Sequence, residues 1–546
     1  MVRPSHPAPL SEQVQVAQAA GIIALGNITS RVLGFVRVTV KSGLFGAGPH
    51  VSALDAALRI PTTLYDLLVG GMISSALVPV LSDYTAPQQR EELWKLISVL
   101  IGAASLVVCG LLFLGELFAP QLIWLMAGGL SPPAQALATD LLRLVLPAIL
   151  FLNLAGILTG ALYALKRFAF PAFTAAVFNA AVVIVALALG RRWGVHSMAI
   201  GLVVGAILQV VLQLPGLRDA RFRLTLNLRH PALGRIGRLY LPILIGLAVD
   251  NLLSVVLSYN LASRIGDSAI AWMEYAAQII QFPLGLVVAA VSIATLPTLS
   301  RQASAEESAP FRATLAQGLR LVLALMMPAT AGLFVLAQPL VALVFEHGDF
   351  TAADTAAVAE ALRYHLPGLF FAAVDQLLIF AFYARKNTLT PALVGVGTTV
   401  LYAIIAISLS RMGALTLPLL ILVNSLKWAA HALLMLALTW RCLGSLSSHG
   451  LWTLTLKSAC ASLGMAAVVW QAVRMLLAAV PPGLVGELLV VGGAGVVGAT
   501  SYILLALLLN LEEIYVLRAA LFDGLRRLTG LRRRAIIPSP EETERE

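Results

Sequence analysis

Apolar runs of twenty or more residues recur along nearly the whole chain, separated by short polar breaks. Each run is long enough to cross about 30 Å of hydrocarbon as a helix. The runs are continuous, not alternating, so they read as helices and exclude a membrane β-barrel. Fourteen spans are predicted, near 15–42, 52–82, 94–118, 136–165, 169–190, 196–216, 237–264, 269–299, 312–337, 354–384, 389–410, 414–439, 453–478 and 483–510. The expected fold class is an all-α polytopic membrane protein.

A second pattern lies above the first. Residues 142–172 read LRLVLPAILFLNLAGILTGALYALKRFAFPA, and residues 362–392 read LRYHLPGLFFAAVDQLLIFAFYARKNTLTPA. They align without a gap at an offset of 220, matching Leu142, Arg143, Pro147, Tyr163, Lys166 and Pro171 among others. A weaker echo joins SALVPVLS at 75–82 to SIATLPTLS at 292–300. Six spans separate the two copies, and an even number means one orientation. The repeat predicts two parallel six-helix lobes around a central cavity, 1–216 and 217–440, as in transporters built from parallel repeats. A helix pair over 441–510 and a basic amphipathic segment with a polar tail over 511–546 follow. That segment is expected to lie on the anionic inner leaflet.

Composition sharpens this picture. The 546 residues are 59% hydrophobic and 12% charged, with a net charge of +10. Soluble domains carry about twice that charged fraction. Lysines and arginines gather in alternate loops, at Arg90 and Lys95, Lys166 and Arg167, Arg218 to Arg235, Arg301, Arg385 and Lys386, and Arg441. By the positive-inside rule both termini are expected in the cytoplasm, with Arg191 and Arg192 the exception. The positive charge is therefore topological and implies no nucleic-acid partner. Residues 1–13 are polar and lack an apolar signal core, so the first span is expected to be retained. Cys109, Cys442 and Cys460 have unrelated spacings that suggest neither disulfides nor a metal site.

The informative residues are polar ones inside the spans. Arg31 and Arg37 lie within the first, about 9 Å apart along the axis and on different faces. Charges at that depth cost roughly 3 kcal/mol or more each, so they face water, a partner or a polar ligand. Their own helix holds no acid, which leaves an anionic substrate, Asp55 or Asp66 as the partner. Guanidinium forks suit phosphate oxygens. Lys41 shares a face with Arg37 and is expected to snorkel to the outer interface. The second span carries Asp55, Arg59 and Asp66, with Asp55 and Arg59 spaced to pair. Pro61, Gly70, Gly71 and Pro79 interrupt it, so it is expected to bend beside a wet cavity. Farther on, Glu274, Gln278 and Gln281 follow one another at helical spacing, and Asp250–Asn251 and Asp375–Gln376 interrupt other spans. Asp250 with Asn251 suits Na⁺ or a proton as a coupling ion, or a buried carboxyl that packs helices. Lys427 and His431 are expected to be structural. No catalytic constellation or nucleotide-binding loop is present in the sequence, which points away from an enzyme.

Several stretches resemble the MurJ (MviN) family: SRVLGFVR at 30–37, LFGAG at 44–48, RIP at 59–61 and SSALVPVLSDY at 74–84. QFPLGLVVAAVSIATLPTLS at 281–300 and FYARKNTLTPA at 382–392 are similar to its later helices. The resemblance implies the multidrug/oligosaccharidyl-lipid/polysaccharide exporter superfamily. It implies flipping of lipid II, the undecaprenyl-pyrophosphate-linked peptidoglycan precursor, by alternating access in the bacterial inner membrane. The residues that the resemblance assigns to the diphosphate are Arg31, Arg37 and Arg59; Asp55, Asp66, Gln278 and Gln281 are expected beside them from their places in the spans, where the chain departs from the family pattern. It further implies a sodium ligand at Asp250, with Asn387 and Thr399 as companions, and a lipid-tail groove on the C-terminal pair. Membrane lipids and wall-synthesis enzymes are the other partners it suggests. The chain departs from the pattern at Val38, Tyr65, Asp66, Gln278 and Gln281, where many members carry charges or opposite charges. Other readings are an exporter of another lipid-linked glycan, a cationic-drug antiporter, or a non-transporting membrane scaffold.

Overall fold

The computed structural model describes residues 10–70, 72–220, 222, 231–305, 308–444, 450–481 and 483–515. The side chains of some helical residues, Asp250 and Asn251 among them, lie outside the described residues, as does the basic segment from 516 onward. Among the described residues every regular element is helical. The helices in chain order are α1 (Leu10–Phe45), α2 (Pro49–Tyr65), α3 (Val78–Ser82), α4 (Arg90–Leu117), α5 (Ala119–Ala127) and α6 (Pro132–Val145). Then come α7 (Ala148–Ala164), α8 (Ala169–Trp193), α9 (His196–Gln213), α10 (Pro231–Asp250), α11 (Leu257–Ile265) and α12 (Ala269–Ser304). The last six are α13 (Ser308–Phe345), α14 (Ala352–Ala384), α15 (Leu389–Arg411), α16 (Leu417–Leu443), α17 (Leu451–Ala479) and α18 (Leu484–Leu508).

Ten of these helices are long and apolar enough to cross a membrane. The pair α6–α7, bent by 41° at Leu146–Pro147, makes an eleventh if counted as one span. Large apolar side chains on the outside agree with a lipid environment: Leu106, Phe113 and Leu117 on α4 and Trp470 and Leu477 on α17 are all exposed. The protein is an all-helical membrane protein. Its chain forms two compact units. One comprises 1–285, 337–375 and 386–437; the other comprises 286–336, 376–385 and 438–546.

The span expected at 52–82 is not one regular helix. α2 passes directly into a π-helical stretch, Asp66–Gly70, and a second one, Ile73–Leu77, precedes α3. Pro61 inside α2 removes one backbone donor, and the wide turns downstream leave carbonyls to be satisfied from outside. Tyr240 of α10 does so for Leu67, donating its hydroxyl to that carbonyl oxygen. The 237–264 span is likewise interrupted by a π stretch, Asn251–Val256.

The internal repeat leaves a local signature. Lys166 and Lys386, 220 residues apart, both adopt a left-handed φ of 59°. The preceding helices end at Ala164 and Ala384, and the following ones begin at Ala169 and Leu389. The copies differ at their proline: the chain bends at Pro147, whereas α14 runs through Pro367.

Candidate functional site

α1 is fixed by small residues on one face. Gly26, Ser30 and Gly34, spaced by four, lie against α8. A Cβ on Gly26 would stand 2.1 Å from the backbone oxygen of Ala172. Asn179 donates its Nδ2 to the Ser30 carbonyl at 3.2 Å, and the same amide nitrogen would sit 3.5 Å from a Cβ on Gly34. Small residues at i, i+4 and i+8 are how helices approach closely in lipid. The contact sets the rotation of α1 and brings Arg37 to a cavity shared with Thr174, Phe178 and Val182 of α8.

The chain then turns tightly. Gly46 has φ +64°, a conformation open to glycine, and a Cβ there would meet the Asp349 carbonyl oxygen at 2.5 Å. Tyr275 donates its hydroxyl to the Gly46 carbonyl at 2.8 Å, and the Ala271 amide donates to Ser52 Oγ at 3.1 Å. These bonds pin the start of α12 to the α1–α2 turn. Glu274 and Gln278, on the next turns of α12, thereby reach the cavity.

The cavity has a volume of about 430 Å³. Arg37, Lys41 and Arg59 line it, and so do Asp55, Asp66 and Glu274. Three cations and three acids share one space. Gln278, Gln209, Tyr65, Thr62 and Tyr259 complete its polar lining.

The pairing inside differs from the expected one. Lys41 does not snorkel away: it is 8% exposed, and its Nζ donates to both carboxyl oxygens of Asp55 at 2.8 and 2.9 Å. It also sits 4.4 Å from the centroid of the Tyr275 ring. Asp55 therefore pairs across the turn with α1, not with Arg59 one turn along its own helix. The tight Gly46 turn brings α1 and α2 together, so the nearer cation takes the carboxylate. Arg59 instead lies 5.9 Å from the Tyr259 ring, and Tyr259 donates its hydroxyl to Glu274 Oε1. Among the described residues, neither Arg37 nor Arg59 makes a hydrogen bond or ion pair, and the Nε of Arg59 is enclosed without a partner. A buried donor without a partner is costly, roughly 1–3 kcal/mol or more for a charged group, and calls for an acceptor.

The remaining candidates fall elsewhere. Arg31 is exposed and rests against Gly285, where a Cβ would come 2.3 Å from its Nη1; it does not line this cavity. Gln281 is exposed and also absent from the lining. Asn387 accepts from the Thr390 amide at 3.1 Å and so caps α15. Thr399 is buried within α15, roughly 18 Å farther along the axis by helical rise, so the two are not brought together. The Asp250 side chain lies outside the described residues. Asp375 and His431 form a buried pair, Nδ1 to Oδ1 at 2.7 Å, and His431 Nε2 lies 3.3 Å from the Pro391 carbonyl oxygen. Lys427 Nζ donates to Ser254 Oγ at 2.7 Å.

Sequence reasoning missed Lys41, Glu274 and Gln209 as cavity residues. The spacing of Arg37 and Lys41 was a usable signal, since residues four apart on a helix share a face. Gln209 offered none, as one amide in an apolar helix.

The family model described as lipid II flippase MurJ matches residues 41–490. A lipid II flippase MurJ of Burkholderia cenocepacia is 31% identical over 68% of this chain and 74% of its own length. A probable lipid II flippase MurJ of Bdellovibrio bacteriovorus is 26% identical over 93% of this chain and 97% of its length. In fold, the chain is similar to a solved lipid II flippase MurJ in an inward closed conformation. That match has a TM-score of 0.75 at 24% identity, covering 89% of this chain and 97% of that one. An inward-facing multidrug transporter of the MATE family aligns with a TM-score of 0.63 at 14% identity, over 77% and 96% of the two chains. The family match spans both copies of the internal repeat and every cavity cation beyond Arg37, and on that extent the chain belongs to the MurJ family.

Proposed function

We infer that this chain is a lipid II flippase of the bacterial inner membrane: a transporter, not an enzyme, that moves a diphosphate-linked peptidoglycan precursor between leaflets. The observation that carries the reading is the unpaired guanidinium of Arg59 beside that of Arg37, in a cavity of a membrane-embedded helical body. A diphosphate supplies the missing acceptors. Its oxygens accept bidentate N–H pairs from the two arginines, which the cavity acids leave without a hydrogen bond. Gln278 and Gln209 offer neutral donors to the first sugar or the phosphates.

The wide π turn at Asp66–Gly70 begins at a cavity residue, Asp66, and a second follows at Ile73–Leu77. Rearrangement there changes the register of the α2 side chains without unfolding a helix, which suits a site that must open alternately to two sides. Both termini belong in the cytoplasm by the loop charge.

The relatives' functions favour this reading over export of drugs or a non-transporting role. The cavity adds that two of its three acids are engaged: Asp55 holds Lys41, and Glu274 accepts from Tyr259. Complementation tests it. In a bacterium depleted of its own lipid II flippase, the wild-type gene restores growth and wall synthesis, and Arg37→Ala with Arg59→Ala does not at equal expression. Failure of the wild-type gene, or full rescue by the double variant, overturns the assignment.

A further inference from the structure

Lys41 and Asp55 form a cavity pair to which neither the arginine site nor the family pattern assigns a role. Lys41 follows Arg37 by one turn on α1 and lines the same space. Among the described residues its only partners are the Asp55 carboxylate and the Tyr275 ring, and Asp55 has no hydrogen bond except those from Lys41. Asp55 also acts electrostatically on Arg37 and Glu274. Exchanging this one partner would therefore break two short hydrogen bonds and no others.

We propose that Lys41 is a further substrate-binding cation, and that Asp55 is its resident counter-anion, displaced by the lipid diphosphate on loading and restored to Lys41 on release. The inference rests on the flippase reading above. Its physical basis is the carrier's need for moderate affinity. A site that must release its cargo binds it well enough to load and weakly enough to leave. Three cations all free to close on a dianion would hold it too long. A carboxylate built into the wall competes for one of them at every cycle and repels the leaving anion. Asp55 acts on Arg37 as well as on Lys41, so its charge is felt by two of the three cavity cations.

A merely structural pair makes the opposite prediction. If Asp55 only positions Lys41, neutralising it weakens substrate binding. If Asp55 competes, neutralising it strengthens binding and slows turnover. Lifting one like-charge contact at a partly wet site is expected to raise affinity by about tenfold.

The experiment uses the purified full-length protein and fluorescent lipid II, with binding by titration, flipping in proteoliposomes, and thermal stability and gel filtration for folding. Asp55→Asn should bind lipid II about tenfold more tightly and flip it more slowly. Lys41→Gln should bind more weakly. In the Lys41→Gln background the gain from Asp55→Asn should shrink, because no cation remains to be handed over and only repulsion is relieved. Equal gains in the two backgrounds, or weaker binding by Asp55→Asn, overturn the proposal. Wild-type protein that binds no lipid II overturns the flippase reading instead. Should Asp55→Asn fail to fold, the wild-type protein with bound lipid II, imaged at side-chain resolution, decides. Lys41 Nζ on a phosphate oxygen with Asp55 released supports the exchange; an intact pair beside bound diphosphate refutes it.

Discussion

Arg59 is the residue whose loss separates substrate binding from stability most cleanly. Its guanidinium makes no hydrogen bond or ion pair among the described residues, and its Nε is enclosed. It lies 5.9 Å from the Tyr259 ring, near the outer limit for a cation–π attraction worth about 0.5–1 kcal/mol, and it interacts electrostatically with Glu274 and Asp66. Arg59→Ala breaks no described hydrogen bond, and the relief of an unmatched buried donor offsets the lost attraction to Glu274 and Asp66. The expected change in stability is within about 1 kcal/mol of zero. Binding should change far more. Hydrogen bonds to charged groups contribute about 1.5–3 kcal/mol each, so losing the fork should cost roughly 2–4 kcal/mol, about 30- to 1,000-fold in lipid II affinity. Arg59→Lys, which keeps the charge and loses the planar fork, should fall between. The assay is titration of purified variants with fluorescent lipid II beside thermal unfolding in the same detergent. Affinity within twofold of wild type, or a stability loss that parallels the affinity loss, refutes the reasoning.

Other variants test the scaffold. Gly26→Ala should push α1 from α8, because its Cβ would overlap the Ala172 carbonyl at 2.1 Å; a stability loss of about 1–3 kcal/mol is expected from thermal unfolding. His431→Leu leaves the Asp375 carboxyl buried without a partner and should destabilise by about 3–5 kcal/mol, with Asp375→Asn partly restoring the double variant. Outside the membrane spans, the hydrogen bonds from Arg167 hold the Asp219 carboxyl below the usual carboxylate range. A depressed folded-state value means the carboxylate stabilises above the ordinary range and loses that contribution as pH falls through its own value. Wild type should therefore lose stability more steeply than Arg167→Ala below about pH 4, read by thermal unfolding at constant salt.

The class of fold was legible because lipid imposes it: uninterrupted apolar runs can only be helices. The repeat was legible too, since Pro, Tyr and Lys in ungapped register are not explained by an apolar helix, and the paired left-handed lysines are its physical trace. Arg37, Arg59, Asp55, Asp66 and Gln278 were named as site residues, and all line the cavity. What the sequence hid was pairing. The i,i+4 spacing of Asp55 and Arg59 suggested one ion pair, but the Gly46 turn folds Lys41 onto Asp55 from fourteen residues away. No periodicity encodes that contact. Arg31 was named from its depth in the first span and the family resemblance, and Gln281 from its helical spacing near Gln278. Arg31 is one residue beyond Ser30 of the packing face, and its rotation about α1 carries it away from Arg37 to Gly285. The π stretches were invisible for a similar reason: prolines and glycines announce a break in α2 but not the wide turns that replace it.

The most direct measurement is translocation itself. Purified wild-type protein in liposomes, given fluorescent lipid II in both leaflets and a reagent that quenches only the outer one, should expose the inner pool to quenching. Arg37→Ala with Arg59→Ala, equally folded and equally inserted, should leave that pool protected. Translocation at the wild-type rate by the double variant, or none by the wild type, would contradict the account.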